Sequence, residues 1–524
     1  MFIFQRLIAC LLLCAAVQAH ALTAEAARAM AAGDTDDRIA ALQAAIATPD
    51  EATVAFIRAM GDDAVKIAGG KAIVLRDGKG LDPVTGAEVP VPDDAEDIVN
   101  NNRMRGEFDT ALASLQLMAA DVAERRKAIE ALREETDEAR LPLIEKALAA
   151  EQDAALKARL ESIRARILIG SADAVKRLSA AQHLAASGNP ATRTVLLEQL
   201  RNEEDPQVKA ALQAALKTVE ERLHWGERLA AMFSGISLGS ILLLVALGLA
   251  ITYGLMGVIN MAHGELMMIG AYATYVMQGV FQKYFPGAFD WYLVAAVPAA
   301  FLASALMGAV LERGVIRFLY GRPLETLLAT WGISLVLQQL VRSLFGAQNV
   351  GVENPAWMSG GVQLMDNLQL PWNRVIIVAF ALAVLGGVAF LIGKTRLGLF
   401  VRGVTQNRPI ASCMGVNTAR VDTYAFALGS GIAGLAGCAL SQVGNVGPDL
   451  GQGYIVDSFM VVVLGGVGQL AGTVYAALGL GVLNKFLEGW TGAVLAKITV
   501  LVFIIVFIQK RPQGIFAVKG RSAD

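Results

Sequence analysis

The residues best placed to do chemistry in this sequence sit in an apolar setting. Asn260-Met261-Ala262-His263-Gly264-Glu265 brings an amide, an imidazole and a carboxylate into six positions between two long apolar runs. A carboxylate inside hydrocarbon costs about 3 kcal/mol on insertion scales, so it faces a cavity or a partner and marks a route for polar solutes. The same residues also suit a plainer role, joining two helices at the membrane surface with Asn260 or Glu265 capping a helix start. Glu325, Gln338 and Asp457 complete the candidate path residues. Like Gln339 and Asn484, they also serve as ordinary structural hydrogen-bond formers.

A second polar segment lies between two apolar runs, at 394–420. It holds Thr395-Arg396-Leu397-Gly398, then Arg402-Gly403-Val404-Thr405-Gln406-Asn407-Arg408, and closes on Gly415-Val416-Asn417. Links between packed helices usually take about 2–8 residues, so this segment is too long for a simple connection. A short helix within it can press against a motor protein, or lie in the interface held by anionic lipid.

Other motifs lead away from catalysis. Gly429-Ser430-Gly431-Ile432-Ala433-Gly434 satisfies the dinucleotide fingerprint but sits inside an apolar run with no preceding strand, where small residues instead let helices approach. Gly235 and Gly239 have the same spacing logic. Gly387 to Gly393-Lys394-Thr395 has one residue too many for a phosphate-binding loop, so the chain is not expected to bind ATP itself. The four cysteines (10, 14, 413 and 438) and four histidines (20, 183, 224 and 263) are too dispersed for a disulfide framework or a metal site. No catalytic constellation stands out, and a non-enzyme is expected, with no cofactor of its own.

Composition shows what must position these residues. Of 524 residues 55% are hydrophobic and 18% charged, but the charge is uneven. Residues 22–228 carry 63 charged positions and a net −9; residues 229–524 carry 28 and a net +6. Water is the implied solvent of the first stretch and lipid of the second. An acidic soluble part argues against nucleic acid as a partner.

Residues 1–21 read as a secretory signal: Arg6, the apolar run Leu7–Val17, and Ala19-His20-Ala21 as the cleavage site. Residues 22–228 are then an exported helical domain. Its segments at 127–132, 141–148 and 149–160 align with 179–184, 193–200 and 201–212 at a constant offset of 52, the signature of a helical-repeat array similar to HEAT-like repeats. Near 65–91 the helical pattern breaks at Lys71-Ala72-Ile73-Val74-Leu75 and Asp77-Gly78-Lys79-Gly80, which reads as a small hairpin insert. The overall class is all-α.

From 229 onward nine apolar segments (229–251, 261–282, 291–312, 324–345, 374–393, 421–443, 455–469, 471–488 and 494–509) predict a polytopic membrane domain of about 8–10 spans. Basic residues stay cytoplasmic. Arg313, Arg317 and Arg322, the 394–420 loop, and Lys510, Arg511, Lys519 and Arg521 therefore face inward, while 346–373 has no lysine or arginine. Nine spans with an inside C-terminus put the N-terminus in the periplasm.

Several of these segments, in order, resemble the permeases of branched-chain amino-acid and urea ABC transporters. They are Leu247–Gly254 through Glu265, Arg322-Pro323-Leu324, Thr395-Arg396-Leu397-Gly398, Gln406-Asn407, Gly465-Gly466-Val467-Gly468 and Lys510-Arg511-Pro512-Gln513-Gly514. The exported extension is similar to that of the urea branch. The resemblance implies a multi-pass inner-membrane permease subunit of an ATP-driven importer, with urea as the expected cargo and branched-chain amino acids as the alternative. Its implied partners are a second homologous permease, two cytoplasmic ATP-binding subunits that hold the ATP, and a periplasmic solute-binding protein. Arg396, Gly398, Arg402, Gly403, Gln406, Asn407, Arg408 and Gly415 are then the ATPase-coupling loop. A membrane-anchored envelope interaction protein is the rival reading from another class.

Overall fold

A computed structural model describes residues 22–47, 50–76, 78–92, 95–257 and 259–516. The expected signal at 1–21, together with Lys519 and Arg521, lies outside the described residues. The chain divides into two compact units between Leu223 and His224.

The first unit begins with three helices, α1 (Ala24–Ala31), α2 (Thr35–Ala47) and α3 (Glu51–Gly61). Asp50 starts α3 by accepting the Thr53 backbone N–H at 2.7 Å, which satisfies an otherwise orphaned donor. A sheet follows: β1 (Val65–Ala68), β2 (Lys71–Arg76), β3 (Lys79–Leu81), β4 (Glu88–Val89) and β5 (Glu96–Asp97), antiparallel, in the order β4-β3-β2-β1-β5. Gly69 and Gly70, with φ of 56° and 77°, make the β1–β2 turn. The expected single hairpin is thus a five-stranded sheet, and all-α is corrected to mostly helical. The outer strands are two or three residues long, too short to show a period of two.

Six helices complete this unit's pattern: α4 (Asn102–Gln116), α5 (Val122–Ala131), α6 (Leu141–Ala150), α7 (Ala154–Leu168), α8 (Ala174–Leu184) and α9 (Pro190–Asn202). The offset of 52 reappears as geometry. Arg125 grips Glu151 with Nε at 2.8 Å and Nη2 at 3.1 Å, and its Nη1 donates to the carbonyls of Ala119 and Ala120. Arg177, 52 residues on, grips Glu203 at 2.7 and 2.8 Å and donates to the carbonyls of Ser171 and Ala172. Each clamp ties the first helix of a repeat to the C-cap of the next helix, α5 to Glu151 after α6 and α8 to Glu203 after α9, through a forked charge-assisted pair. The Arg177 guanidinium holds the Glu203 carboxyl down at about 2, and Arg125 likewise lowers that of Glu151.

Helix α10 (Pro206–Met256) runs 51 residues; Val208, Leu212, Ala215 and Val219 belong to the first unit's core, and Leu242 to Ile251 to the second's. The second unit continues with α11 (His263–Tyr284), α12 (Tyr292–Gly314), α13 (Pro323–Phe345), α14 (Trp372–Lys394), α15 (Arg396–Gln406), α16 (Arg408–Cys413), α17 (Thr418–Ser441), α18 (Leu450–Gly465), α19 (Leu470–Thr491) and α20 (Ala493–Lys510). Between α13 and α14 lies a second departure from all-α, the hairpin β6 (Gly361–Met365) and β7 (Leu368–Pro371).

A helix stands at each of the nine expected span positions, yet among the described residues seven are long and apolar enough to cross a membrane. Helix α11 is diluted by His263, Glu265, Gln278 and Lys283, and α18 has 16 residues against the ~20 a crossing needs.

Small residues let the central helices touch. A Cβ at Gly429 would meet the Gly248 carbonyl oxygen at 2.6 Å, one at Gly434 the Ala300 carbonyl oxygen at 2.5 Å, and one at Gly235 the Val482 Cα at 2.5 Å. The G-x-G-x-x-G run is helix-packing surface, in keeping with its place in a span.

Candidate functional site

Glu265 lies in the first turn of α11 and is 1% exposed. Its Oε1 accepts from Gln338 Nε2 at 2.8 Å and from Ser334 Oγ at 2.9 Å, both on α13. One turn back on α13, Thr330 Oγ1 accepts the Met261 N–H at 3.2 Å. At the far end the rings of Tyr272 and Phe345 lie 4.7 Å apart. Helices α11 and α13 therefore run in the same direction along a shared polar seam.

The seam has uncommitted polar atoms. Glu265 Oε2 and Tyr272 Oη are buried without a hydrogen-bond partner, and so are Asn260 Nδ2 and, on a ring packed against α10 instead of α13, His263 Nδ1. Asn260 Oδ1 accepts the Ala262 N–H at 3.0 Å, a local turn ahead of α11; the N-cap position itself is Ala262, which has no side-chain cap, so the expected capping of this helix start by Asn260 is not what the structure shows. His263 Nε2 lies 3.1 Å from the Val245 carbonyl, which can only accept, so the proton sits on Nε2 and Nδ1 is the acceptor.

Of the expected path residues, the structure brings Glu265 and Gln338 into contact, with Asn260 and His263 nearby in sequence. It does not bring Glu325 or Asp457 to them. Glu325 is exposed and pairs with Arg322 three residues away at 3.1 Å, while Asp457 pairs with Lys497 of α20 at 3.4 Å. Thr330 and Ser334 were missed. Their signal was available: Thr326, Thr330, Ser334 and Gln338 recur every four residues, so they share one helix face.

The 394–420 segment folds as two short helices. Thr395 Oγ1 accepts the Gly398 N–H at 3.4 Å at the start of α15, and Asn407 Oδ1 accepts the Ile410 N–H at 3.0 Å at the start of α16. Gly398 is buried against the Ile392 backbone, where a side chain has no room. Gly415, with φ of 84°, turns the chain towards α17. Arg396, Arg402, Gly403, Gln406 and Asn407 are exposed, and so are the apolar Leu399, Phe400, Ile410 and Met414.

Arg408 anchors this segment. It pairs with the buried Asp422 of α17, and its guanidinium lies 5.2 Å from the Tyr320 ring centroid. Tyr320 Oη donates to Glu312 Oε1 at 3.0 Å, and Thr423 Oγ1 to Glu312 Oε2 at 2.7 Å. Two carboxylates, buried at the ends of α12 and α17, are thus tied to the loop by one cation. Sequence reading singled out Arg408 but none of its partners.

Among the described residues no group of three or more His, Cys, Asp or Glu is placed to hold a metal.

This bundle, polar seam and anchored loop fall within residues 231–509, which match the family model for the permease component of branched-chain amino acid transport systems. The chain belongs to that family. It is 31% identical over 297 residues to the high-affinity branched-chain amino acid transport system permease protein LivH of Salmonella typhimurium, covering 54% of this chain and 94% of the relative. It is 26% identical over 290 residues to the corresponding protein BraD of Pseudomonas aeruginosa, with the same coverage. The ribose import permease protein RbsC of Escherichia coli is 29% identical over 204 residues, 37% of this chain and 61% of the relative. No solved structure matches. Permease subunits of this kind are not enzymes; they work with ATP-binding and solute-binding partners, and the chain is a multi-pass membrane protein.

Proposed function

We propose that this chain conducts a branched-chain amino acid along the α11–α13 seam, as one permease subunit of an ATP-driven importer. One observation carries the reading: a carboxylate 1% exposed, held on one oxygen by Gln338 and Ser334 and uncommitted on the other. An uncommitted buried carboxylate oxygen favours a cargo with an ammonium group over a neutral one. The names of relatives matched over 94% of their length point the same way.

In this reading the 394–420 loop seats in an ATPase subunit, and Arg408 carries its movement to α17. ATP is held by two cytoplasmic subunits, a second homologous permease completes the pore, and a periplasmic solute-binding protein delivers cargo. The basic loops face the cytoplasm. Residues 22–228 form an exported helical-repeat domain, a placement supported by the leader-like start and the duplicated Arg–Glu clamps.

A second reading, urea as cargo, is favoured by one feature: the exported extension ahead of the matched region, which resembles the urea branch. Reconstitution with the cognate ATPases and solute-binding protein separates the two. ATP-dependent uptake of leucine in excess of urea is the expected result; urea uptake without leucine uptake would replace the first reading by the second.

A further inference from the structure

The turn that joins α12 to α13 sorts its charges. Glu312 is buried in the bundle, where Tyr320 holds one of its oxygens and Thr423 the other. Arg313, Arg317 and Arg322 are all exposed. Arg322 pairs with Glu325 at 3.1 Å, while Arg313 and Arg317 meet no carboxylate among the described residues. The nearby Arg408 is committed to Asp422. Three arginines against one exposed glutamate leave this turn an excess of two positive charges.

The turn is also fixed in shape. The Phe318 N–H donates to the Val315 carbonyl at 3.2 Å, the Arg322 N–H to the Leu319 carbonyl at 3.1 Å, and Thr326 Oγ1 to the same carbonyl at 3.0 Å. The basic side chains therefore leave from a short, internally bonded stretch between two helices.

Next to this basic cap the surface is hydrocarbon. Helix α12 buries Ala300, Ser304 and Gly308 and leaves Leu302, Leu306 and Val310 exposed. Small residues inward and large apolar ones outward is the pattern of a helix solvated by lipid. The spacing 302, 306, 310, 313 puts Arg313 on the same helix face, one turn beyond Val310. From Leu302 to Arg313 the helix rises about 17 Å, close to the roughly 15 Å of half a hydrocarbon core. Phe318 is exposed beside the cap with the Arg317 guanidinium 5.7 Å from its ring centroid, the pairing of ring and cation found at membrane surfaces.

We propose that this face is a binding site for an anionic phospholipid. Arg313 and Arg317 hold the phosphate, Arg322 adds to the field, and an acyl chain lies along Leu302, Leu306 and Val310. The guanidinium fork matches phosphate oxygens, and basic clusters beside membrane helices recognise such headgroups. A free phosphate would use the cap and leave the apolar row idle. A protein partner would have to supply both an apolar strip and an acid at its end; one phospholipid carries both. The site is independent of which cargo crosses the membrane.

Native mass spectrometry of the delipidated full chain tests this, by titration with phosphatidylglycerol and phosphatidylcholine of identical acyl chains. Phosphatidylglycerol binds at least tenfold more tightly. Each arginine near an anionic headgroup is worth about fivefold, so Arg313→Gln with Arg317→Gln weakens phosphatidylglycerol at least tenfold and phosphatidylcholine little. Leu306→Asn weakens both lipids. Lys510→Gln with Arg511→Gln, an exposed basic pair at the end of α20, leaves the preference intact. Four results would each overturn the proposal. They are equal binding of the two lipids, a preference that survives in the Arg313/Arg317 variant, displacement of phosphatidylglycerol by equimolar inorganic phosphate, and loss of the bound lipid when the partner subunits assemble. The third would make the cap a free-phosphate site, and the fourth would give the face to a protein.

Discussion

Gln338 donates to Glu265 Oε1 at 2.8 Å across 73 residues of sequence, and with Ser334 it fixes a carboxylate that solvent barely reaches. The pair converts two isolated polar positions into one seam. Gln338→Leu removes a donor and leaves a buried carboxylate less compensated, a loss of about 2 kcal/mol. Leucine uptake by the reconstituted importer is expected to fall severalfold, with protein yield only modestly reduced. Unchanged uptake would make the contact purely structural.

Arg408 and Asp422 supply the second prediction. Removing the cation strands a buried carboxylate, at a cost of about 3–5 kcal/mol. Arg408→Ala is expected to leave the partner subunits' ATP hydrolysis running while uptake drops at least tenfold, read as solute moved per ATP. Arg408→Lys restores part of this, because an ammonium keeps the charge but not the flat fork over Tyr320. Adding Asp422→Asn to Arg408→Ala should recover the folded yield without recovering coupling.

Glycines in the bundle and in the loop should behave oppositely. At Gly437 a Cβ would meet the Ala271 nitrogen at 2.8 Å as well as the Met267 backbone, so Gly437→Leu costs about 3 kcal/mol or more and lowers the monodisperse yield from membranes. At Gly403 a Cβ meets open space. Gly403→Trp should insert and fold normally yet uncouple hydrolysis from uptake; normal coupled transport would refute the role given to that position.

The Arg–Glu clamps contribute to the acid stability of the first unit. The Glu203 carboxyl is held down at about 2, so its contribution is complete above the ordinary carboxyl range near 4 and is lost as pH falls towards 2. Arg177→Ala, which leaves a buried glutamate unpaired, should destabilise that unit by about 3 kcal/mol at neutral pH. The difference from the native chain should shrink below pH 4 as the stranded carboxylate protonates. Thermal melts across pH 2–7 check this.

Much of this architecture could be read from sequence because lipid and water leave different residue patterns. The nine apolar segments became nine helices, and the offset of 52 became two matching clamps. What escaped was set by long-range contact. Strands of two or three residues carry no period, so the sheet beyond the hairpin read at Lys71–Leu75 and Asp77–Gly80 was missed. Arg408 lies 14 residues from Asp422, Thr423 lies 111 from the Glu312 it bonds, and neither Glu312 nor Asp422 looks unusual in its own helix. Glu325 and Asp457 looked like path residues because they are charged within apolar surroundings, but nearby Arg322 and Lys497 neutralise them. The four-residue recurrence ending at Gln338 was legible and went unused.

The most direct test compares leucine uptake by the native and Glu265→Gln chains in proteoliposomes containing the cognate ATPases and solute-binding protein. A seam that conducts the amino acid predicts ATP-driven leucine uptake by the native chain and at least a tenfold lower uptake by the variant, with stimulated ATP hydrolysis retained. Equal leucine kinetics in the two, or leucine flux absent while urea is taken up, would contradict it.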